Sequence, residues 1–161
     1  MVRALRGPAV VRRNGPTAEI AGSKICGVST EREPARPNLL LAVLILHMAA
    51  SLWHHIHNGQ FADEYPNLPG GFPVWIAYVA WGVTTALGLA GFYAVCNGRP
   101  LLGLGAMGLY ASYGLLAFAH YKLAPMSAHT LVQNATILSE GLTALLLLGT
   151  VIVLLVRMKE A

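Results

Sequence analysis

NLLLAVLILHMAASLWHHIH, residues 38–57, decides the fold. Its first half is an unbroken apolar run, too long for an ordinary core strand. Four of the chain's six histidines fall in or just after its middle: His47, His54, His55 and His57. Wound as a helix, residues i, i+4 and i+7 share a face. His47, Ser51, His54 and Asn58 then form one polar stripe, with His57 to one side of it and His55 to the other. A polar stripe on an otherwise greasy helix must face protein or water.

The pattern extends outward from this segment. Charged residues make up 11 % of the 161-residue chain, against about 25 % in a soluble globule. They are also segregated. No Asp, Glu, Lys or Arg occurs in Pro37–Ala62, Tyr65–Gly98, Pro100–Tyr121 or Gly141–Val156. A bilayer core needs roughly 20 apolar residues per helix. A soluble helix keeps a charged face, and these segments have none. The sequence predicts an all-α membrane protein with four transmembrane helices, over about 38–57, 74–96, 101–121 and 134–156.

Residues 1–36 read as a separate unit, a disordered basic tail. They carry Arg3, Arg6, Arg12, Arg13, Lys24, Arg32 and Arg36 and show no apolar periodicity. The stretch is long for the leading region of a signal peptide. The four-helix domain occupies 37–161. Asn38 is placed to cap the first span and Asn58-Gly59 to end it. Pro73 suits the first turn of the second span, which stops at Asn97-Gly98, a strong turn pair. Only Arg99 and Pro100 then precede the third span, so the two form a tight hairpin. The formal charge of +4 comes from the tail, so it bears on orientation and lipid contact rather than nucleic acid. Seven basic residues precede span 1, Arg99 lies in the short loop, and Arg157 and Lys159 come after span 4; Lys122 alone lies elsewhere. The positive-inside rule predicts an up-down-up-down bundle with both termini cytoplasmic. The Asp63 and His129 loops then face outward. Cys26 and Cys96 fall on the reducing side, so no disulfide is expected.

Packing in lipid rests on small residues. Gly82, Ala86 and Ala90 on span 2 are expected to meet Gly108 and Ser112 on span 3; a homodimer seam is the alternative use of that face. Trp53 and Trp75 suit an interfacial belt.

This topology gathers chemistry at one end. His54 and His57 sit near the outer interface, with His47 roughly 10–15 Å deeper. Span 3 brings His120 and Tyr121 to the same level, with Tyr113 on the face of His120. Span 4 begins at Asn134 and places Glu140 about 9 Å inside. The loops add Asp63, Glu64, Tyr65 and His129. Glu140 is the sharpest signal, because a carboxylate within a span costs about 2.5–3.5 kcal/mol. It is read as a metal ligand or as a general base, the structural alternative being a neutral acid bonded to a neighbouring ring. His54 and His57, at i, i+3, can present two nitrogens to one ion. Imidazole with carboxylate suits zinc, iron or manganese, and the expected ligands are His54, His57, His120, His129 and Asp63. His55 points elsewhere and is read as an interface residue.

The cluster supports three functional readings. The first is a metal-dependent membrane enzyme or metal-binding protein acting on a lipid or small hydrophobic molecule, with Glu140 as catalytic base. The second is a b-type haem or quinone-associated redox protein, with His47 or His54 opposite His120. The third is a non-enzymatic membrane subunit or scaffold. No phosphate-binding glycine loop, nucleophile elbow, His-Glu-x-x-His or nucleic-acid module is present.

Overall fold

The computed structural model describes residues 37–68, 71 and 73–160. The basic tail, Cys26 and the Pro69-Gly70 pair lie outside the described residues. Among those described, the chain is all helix and has no strand. Helix α1 is Pro37–Gln60, α2 Val74–Cys96 and α3 Pro100–Gly114. A 3-10 turn over Leu115–Ala119 joins α3 to the short α4, His120–Leu123. Helix α5 is Leu131–Glu160. Four segments, 38–60, 74–96, 100–123 and 131–160, are long and apolar enough to cross a membrane. Their length and composition are those of a multi-pass membrane protein.

Several ends differ from the sequence reading, each for a local reason. Asn38 does not cap α1, because Pro37 already occupies its first turn. Gly59 does not end it either. The helix runs on to Gln60, and Gly59 instead lets the Tyr78 ring approach: a Cβ there would sit 3.2 Å from Tyr78 Cζ. The Asn97-Gly98 turn forms as expected, with Gly98 at φ +74°, a conformation costly for any residue with a Cβ. Helix α5 starts a turn before Asn134. Gln133 N donates to Thr130 Oγ1 at 3.2 Å, while Thr130 N donates to Gln133 Oε1 at 2.8 Å. That reciprocal pair is a capping box, Thr-x-x-Gln.

The bundle has an apolar half and a polar half. Leu40, Val43 and Leu44 of α1 pack with Leu104, Met107, Tyr110 and Ala111 of α3 and Leu147 and Val151 of α5. At the other end the buried hydrophobic residues are few: Tyr65, Ala117 and Ile137. The space between them is filled by histidines, threonines and Glu140.

The α2–α3 seam is not the one expected. Gly82, Ala86 and Ala90 are not buried, and Thr84, Thr85, Gly88 and Gly91 are buried instead. Gly88 receives the Tyr110 ring, and Gly91 lies against Gly103 and Met107. Gly108 faces Val151 of α5, and Ser112 is exposed, its hydroxyl donating to Gly108 O at 2.8 Å. Small residues beside lipid cost nothing, so their spacing alone does not tell which face is inward.

The third span is interrupted after Gly114. Five residues of 3-10 winding rotate the remainder of the span by roughly 100° relative to a continuous α-helix.

Gly103 and Gly105 offer a paired test. A Cβ on Gly103 would meet Gly91 O at 2.5 Å and Val95 N at 2.7 Å, both backbone, whereas at Gly105 nothing lies within 4 Å. Gly103→Ala should destabilise the detergent-solubilised protein by about 1–3 kcal/mol. Gly105→Ala should be neutral or stabilise by up to about 1 kcal/mol. Denaturant titrations of the two variants check this.

Candidate functional site

Two polar stripes meet along α1 and α5. One is His47, Ser51, His54 and Asn58, as its spacing predicted. The other is Gln133, Thr136, Glu140 and Thr143, at matching helical spacing on α5. They pair in reverse order. His47 Nδ1 lies 3.1 Å from Thr143 Oγ1, Ser51 Oγ donates to Glu140 Oε1 at 2.8 Å, and His54 Nδ1 lies 3.3 Å from Thr136 Oγ1. As the register climbs α1 it descends α5. His47, Ser51, His54, Gln133, Thr136 and Glu140 are all buried.

The partners fix the direction of these bonds. Thr136 and Thr143 each give their hydroxyl proton to backbone carbonyls of their own helix, Gln133 O at 2.9 Å and Ser139 O at 2.7 Å. Each is therefore an acceptor toward its histidine, and His54 and His47 donate through Nδ1–H. The lone pair of each ring is then on Nε2. For His54 that atom accepts from Asn58 Nδ2 at 2.9 Å. His55 Nδ1 donates to Ser51 O at 2.9 Å, and His129 Nδ1 donates to Pro125 O at 3.1 Å. Four histidines thus share one tautomer, with Nε2 as acceptor.

Glu140 is 3 % exposed. Its Oε1 takes the Ser51 hydroxyl; its Oε2 is buried with no hydrogen-bond partner. Beside it is a cavity of about 140 Å³. Its polar wall is Glu140, His54, His55, Asn58 and His120, and Tyr113, Leu116 and Ala117 close it from the third span. His54 Nε2 stands 3.7 Å from Glu140 Oε2, and His55 Nδ1 stands 3.9 Å from Oε1. The expectation for His55 is thereby corrected. Its bond back to Ser51 O turns the ring along the helix and into the cavity wall.

A ring cluster closes the end of the bundle. Tyr65, 3 % exposed, stacks on His120 with centroids 4.7 Å apart and has its hydroxyl 2.9 Å from His57 Nδ1. His120 meets His54 edge to face at 5.3 Å and His129 at 6.3 Å. Gln133 Nε2 donates to Glu64 O at 3.0 Å, tying the loop to α5. Burial pushes the Tyr65 phenol up from 10 to about 12.

The residues named from the sequence as metal ligands do not meet at one point. His54 and His120 share the cavity with Glu140. His57 turns to Tyr65 instead of pairing with His54. Asp63 lies on the 3-10 turn Ala62–Glu64, away from the cavity, and is exposed. His129 packs against Tyr121 and His120, outside the cavity wall. Among the described residues, no group of three or more His, Cys, Asp or Glu side chains is arranged to hold a metal ion. Of the two histidines considered as haem ligands on α1, His47 is closed off. A Cβ on Gly114 would lie 2.5 Å from His47 Cε1 and 2.8 Å from its Nε2, so no porphyrin fits between His47 and the third span.

No protein-family model, curated protein or solved structure matches the chain. The site is therefore read from its geometry. Thr136, Gln133 and Thr143 carry no role in the sequence reading, yet they line the stripe. Their signal is present in the spacing: they sit at i−4, i−7 and i+3 from Glu140.

Two outcomes test this arrangement. Ser51→Ala strips Glu140 Oε1 of its donor and should cost about 1–3 kcal/mol. Ser112→Ala, at an exposed hydroxyl, should stay within about 0.5 kcal/mol; chemical denaturation of both compares them. For Tyr65 the fold favours the protonated phenol. That contribution is complete below pH 10 and is lost as pH rises through about 12. Tyr65→Phe should remove this part of the alkaline loss of stability, measured by unfolding at stepped pH.

Proposed function

We propose that this chain is a four-span, up-down-up-down membrane protein with both termini cytoplasmic. Its outward-facing cavity binds a small ligand, and Glu140 is the group that accepts a hydrogen bond or a proton from it. The orientation rests on the basic residues, Arg99, Arg157 and Lys159 with those of the tail. The ligand reading rests on one observation above others: Glu140, whose Oε2 is buried without a partner, is a lining residue of a cavity that also has three imidazoles in its wall.

A carboxylate oxygen left without a donor inside a bundle is costly. Packing alone gives no reason to keep it, since the second oxygen could be bonded as the first is. An oxygen that meets its donor only when a ligand arrives accounts for both the cavity and the unfilled hydrogen bond. His54 Nε2, which accepts from Asn58 Nδ2 at 2.9 Å, stands 3.7 Å from Oε2, outside direct proton-transfer distance. Two donors at that spacing fall short of the three protein ligands of a catalytic zinc site. We therefore read the ligand as held by hydrogen bonds rather than through zinc, iron or manganese.

Chemical labelling tests the reading. A hydrophobic carbodiimide, which reacts with carboxyl groups, should form an adduct on Glu140 in the detergent-purified protein, located by peptide mass spectrometry. Exposed Glu160 serves as the positive control. Glu140→Gln should lose the adduct while keeping its helical circular dichroism. Labelling of Glu160 with none at Glu140 would show the carboxyl to be sealed and would overturn the reading.

A further inference from the structure

The cavity is shut along α5 and at the end of the bundle. Helix α5 pairs with α1 through Ser51 and Glu140 and packs on the 3-10 turn, where Gly141 receives the Phe118 ring. Tyr65 lies over His120 at the end and is 3 % exposed. No residue of α2 lines the cavity, which is not enclosed. Its most exposed lining side chains are Leu116, at 58 %, and Tyr113, at 45 %. Both stand on the flank of the third span, one and two turns inward of His120. The open side therefore gives on the bilayer, between α1 and the third span, and not on the water beyond Tyr65.

Two imidazoles of the wall have nitrogens that a ligand can reach. His55 spends Nδ1–H on Ser51 O. Its Nε2 is then an acceptor, without a hydrogen-bond partner and not among the sealed polar atoms. His120 meets its neighbours through ring contacts. Among the described residues neither of its nitrogens has a hydrogen-bond partner, and neither is sealed. A neutral imidazole carries one N–H and one lone pair, so the wall offers donor and acceptor together. The rest of it is ring and carbon, from Tyr113, Leu116 and Ala117.

We propose that the ligand is a lipid-soluble phenol that enters this cavity sideways from the bilayer. This rests on the reading of the cavity as a ligand site, but on no contact with Glu140. A phenol hydroxyl gives one proton and accepts a hydrogen bond in return, which suits a wall that presents His55 Nε2 and an imidazole N–H at His120. A cavity of about 150 Å³ holds a benzene, and the 140 Å³ here matches one six-membered ring. Aromatic rings gain from edge-to-face and offset contact with other rings, which His54, His120 and Tyr113 supply. An alkyl substituent opposite the hydroxyl passes out over Leu116 and stays among the acyl chains. An ionised head would have to carry its charge through the membrane flank, and no lysine or arginine lines the cavity to receive an anion. A plain alkanol brings the hydroxyl without the ring.

The experiment is equilibrium binding of radiolabelled 4-octylphenol to the full-length protein in lipid nanodiscs, with empty nanodiscs subtracted. Saturable binding at one site per chain is expected. The competitors are octylbenzene, which lacks the hydroxyl, 1-octanol, which lacks the ring, and octylammonium, which carries a charge. Each should compete at least about tenfold more weakly than unlabelled 4-octylphenol. Leu116→Trp crowds the open side at a position that faces lipid, and should weaken binding at least about tenfold. His55→Phe keeps a ring but removes Nε2, and should weaken it severalfold, a second reading should the first variant fold poorly. Leu142→Trp, equally exposed but on α5, should leave binding unchanged. Octylbenzene, 1-octanol or octylammonium competing as well as 4-octylphenol would overturn the phenol. Binding unchanged in both Leu116→Trp and His55→Phe would overturn the site. No saturable binding together with a carbodiimide adduct on Glu140 would overturn the phenol and leave the accessible carboxyl standing. Saturable binding lost in Leu116→Trp, with no adduct on Glu140, would uphold the phenol site and remove the Glu140 reading.

Discussion

The Ser51–Glu140 hydrogen bond is the constraint on which the polar half of the bundle depends. A carboxyl group inside a membrane-spanning helix costs several kcal/mol if it faces lipid, so α5 can present it only inward. Glu140 needs a donor there, and Ser51 supplies one at 2.8 Å. Once these two residues face each other, the neighbours are determined. One turn along α1 in each direction lie His47 and His54, and one turn along α5 lie Thr143 and Thr136. The intervals on α1 are four then three residues, and on α5, read backward, three then four. A slip of one turn would break all three contacts together. In lipid, where apolar faces are equally content with neighbours or with acyl chains, polar pairs of this kind fix register better than hydrophobic contact does.

The apolar half uses a different device. Its helices approach through glycines that leave room for a ring or a backbone: Gly88 under Tyr110 and Gly91 against Gly103. Gly114 belongs to both halves, since it admits the His47 ring between α1 and the third span. That close fit holds His47 as a packing element rather than an open ligand. The cavity therefore forms one and two turns further along, beside Glu140 and His54, where the third span winds as a 3-10 turn and its side chains no longer interlock with α1 at α-helical intervals. Tyr65 then lies across the end of the bundle, held by His57 and stacked on His120.

Much of this is legible in the sequence because the signals are of the kind that composition carries. Stretches free of charge mark the spans. Helical spacing places His47, Ser51 and His54 on one inward face, and it singles out Glu140 as requiring a partner. The features that escape such reading depend on directions that spacing does not encode. His55 falls beside the stripe on a helical projection, yet a hydrogen bond to the carbonyl four residues back draws its ring into the cavity wall. His57 shares a turn with His54, yet the loop brings Tyr65 within reach and takes it away. Gly82, Ala86 and Ala90 imitate a seam because small residues satisfy both protein and lipid neighbours. The Thr130–Gln133 capping box and the α5 polar stripe do carry readable patterns; a single conspicuous glutamate overshadows the weaker residues that surround it.

The polarity of the site grows from the same backbone chemistry. A threonine hydroxyl that returns its proton to a carbonyl of the preceding turn is an acceptor toward a neighbouring helix. Thr136 and Thr143 do this, and His54 and His47 must answer with Nδ1–H. Backbone carbonyls draw the same response from His55 and His129. The two threonines thus spend their protons within α5 and turn lone pairs toward α1, while Ser51 gives its proton across to Glu140.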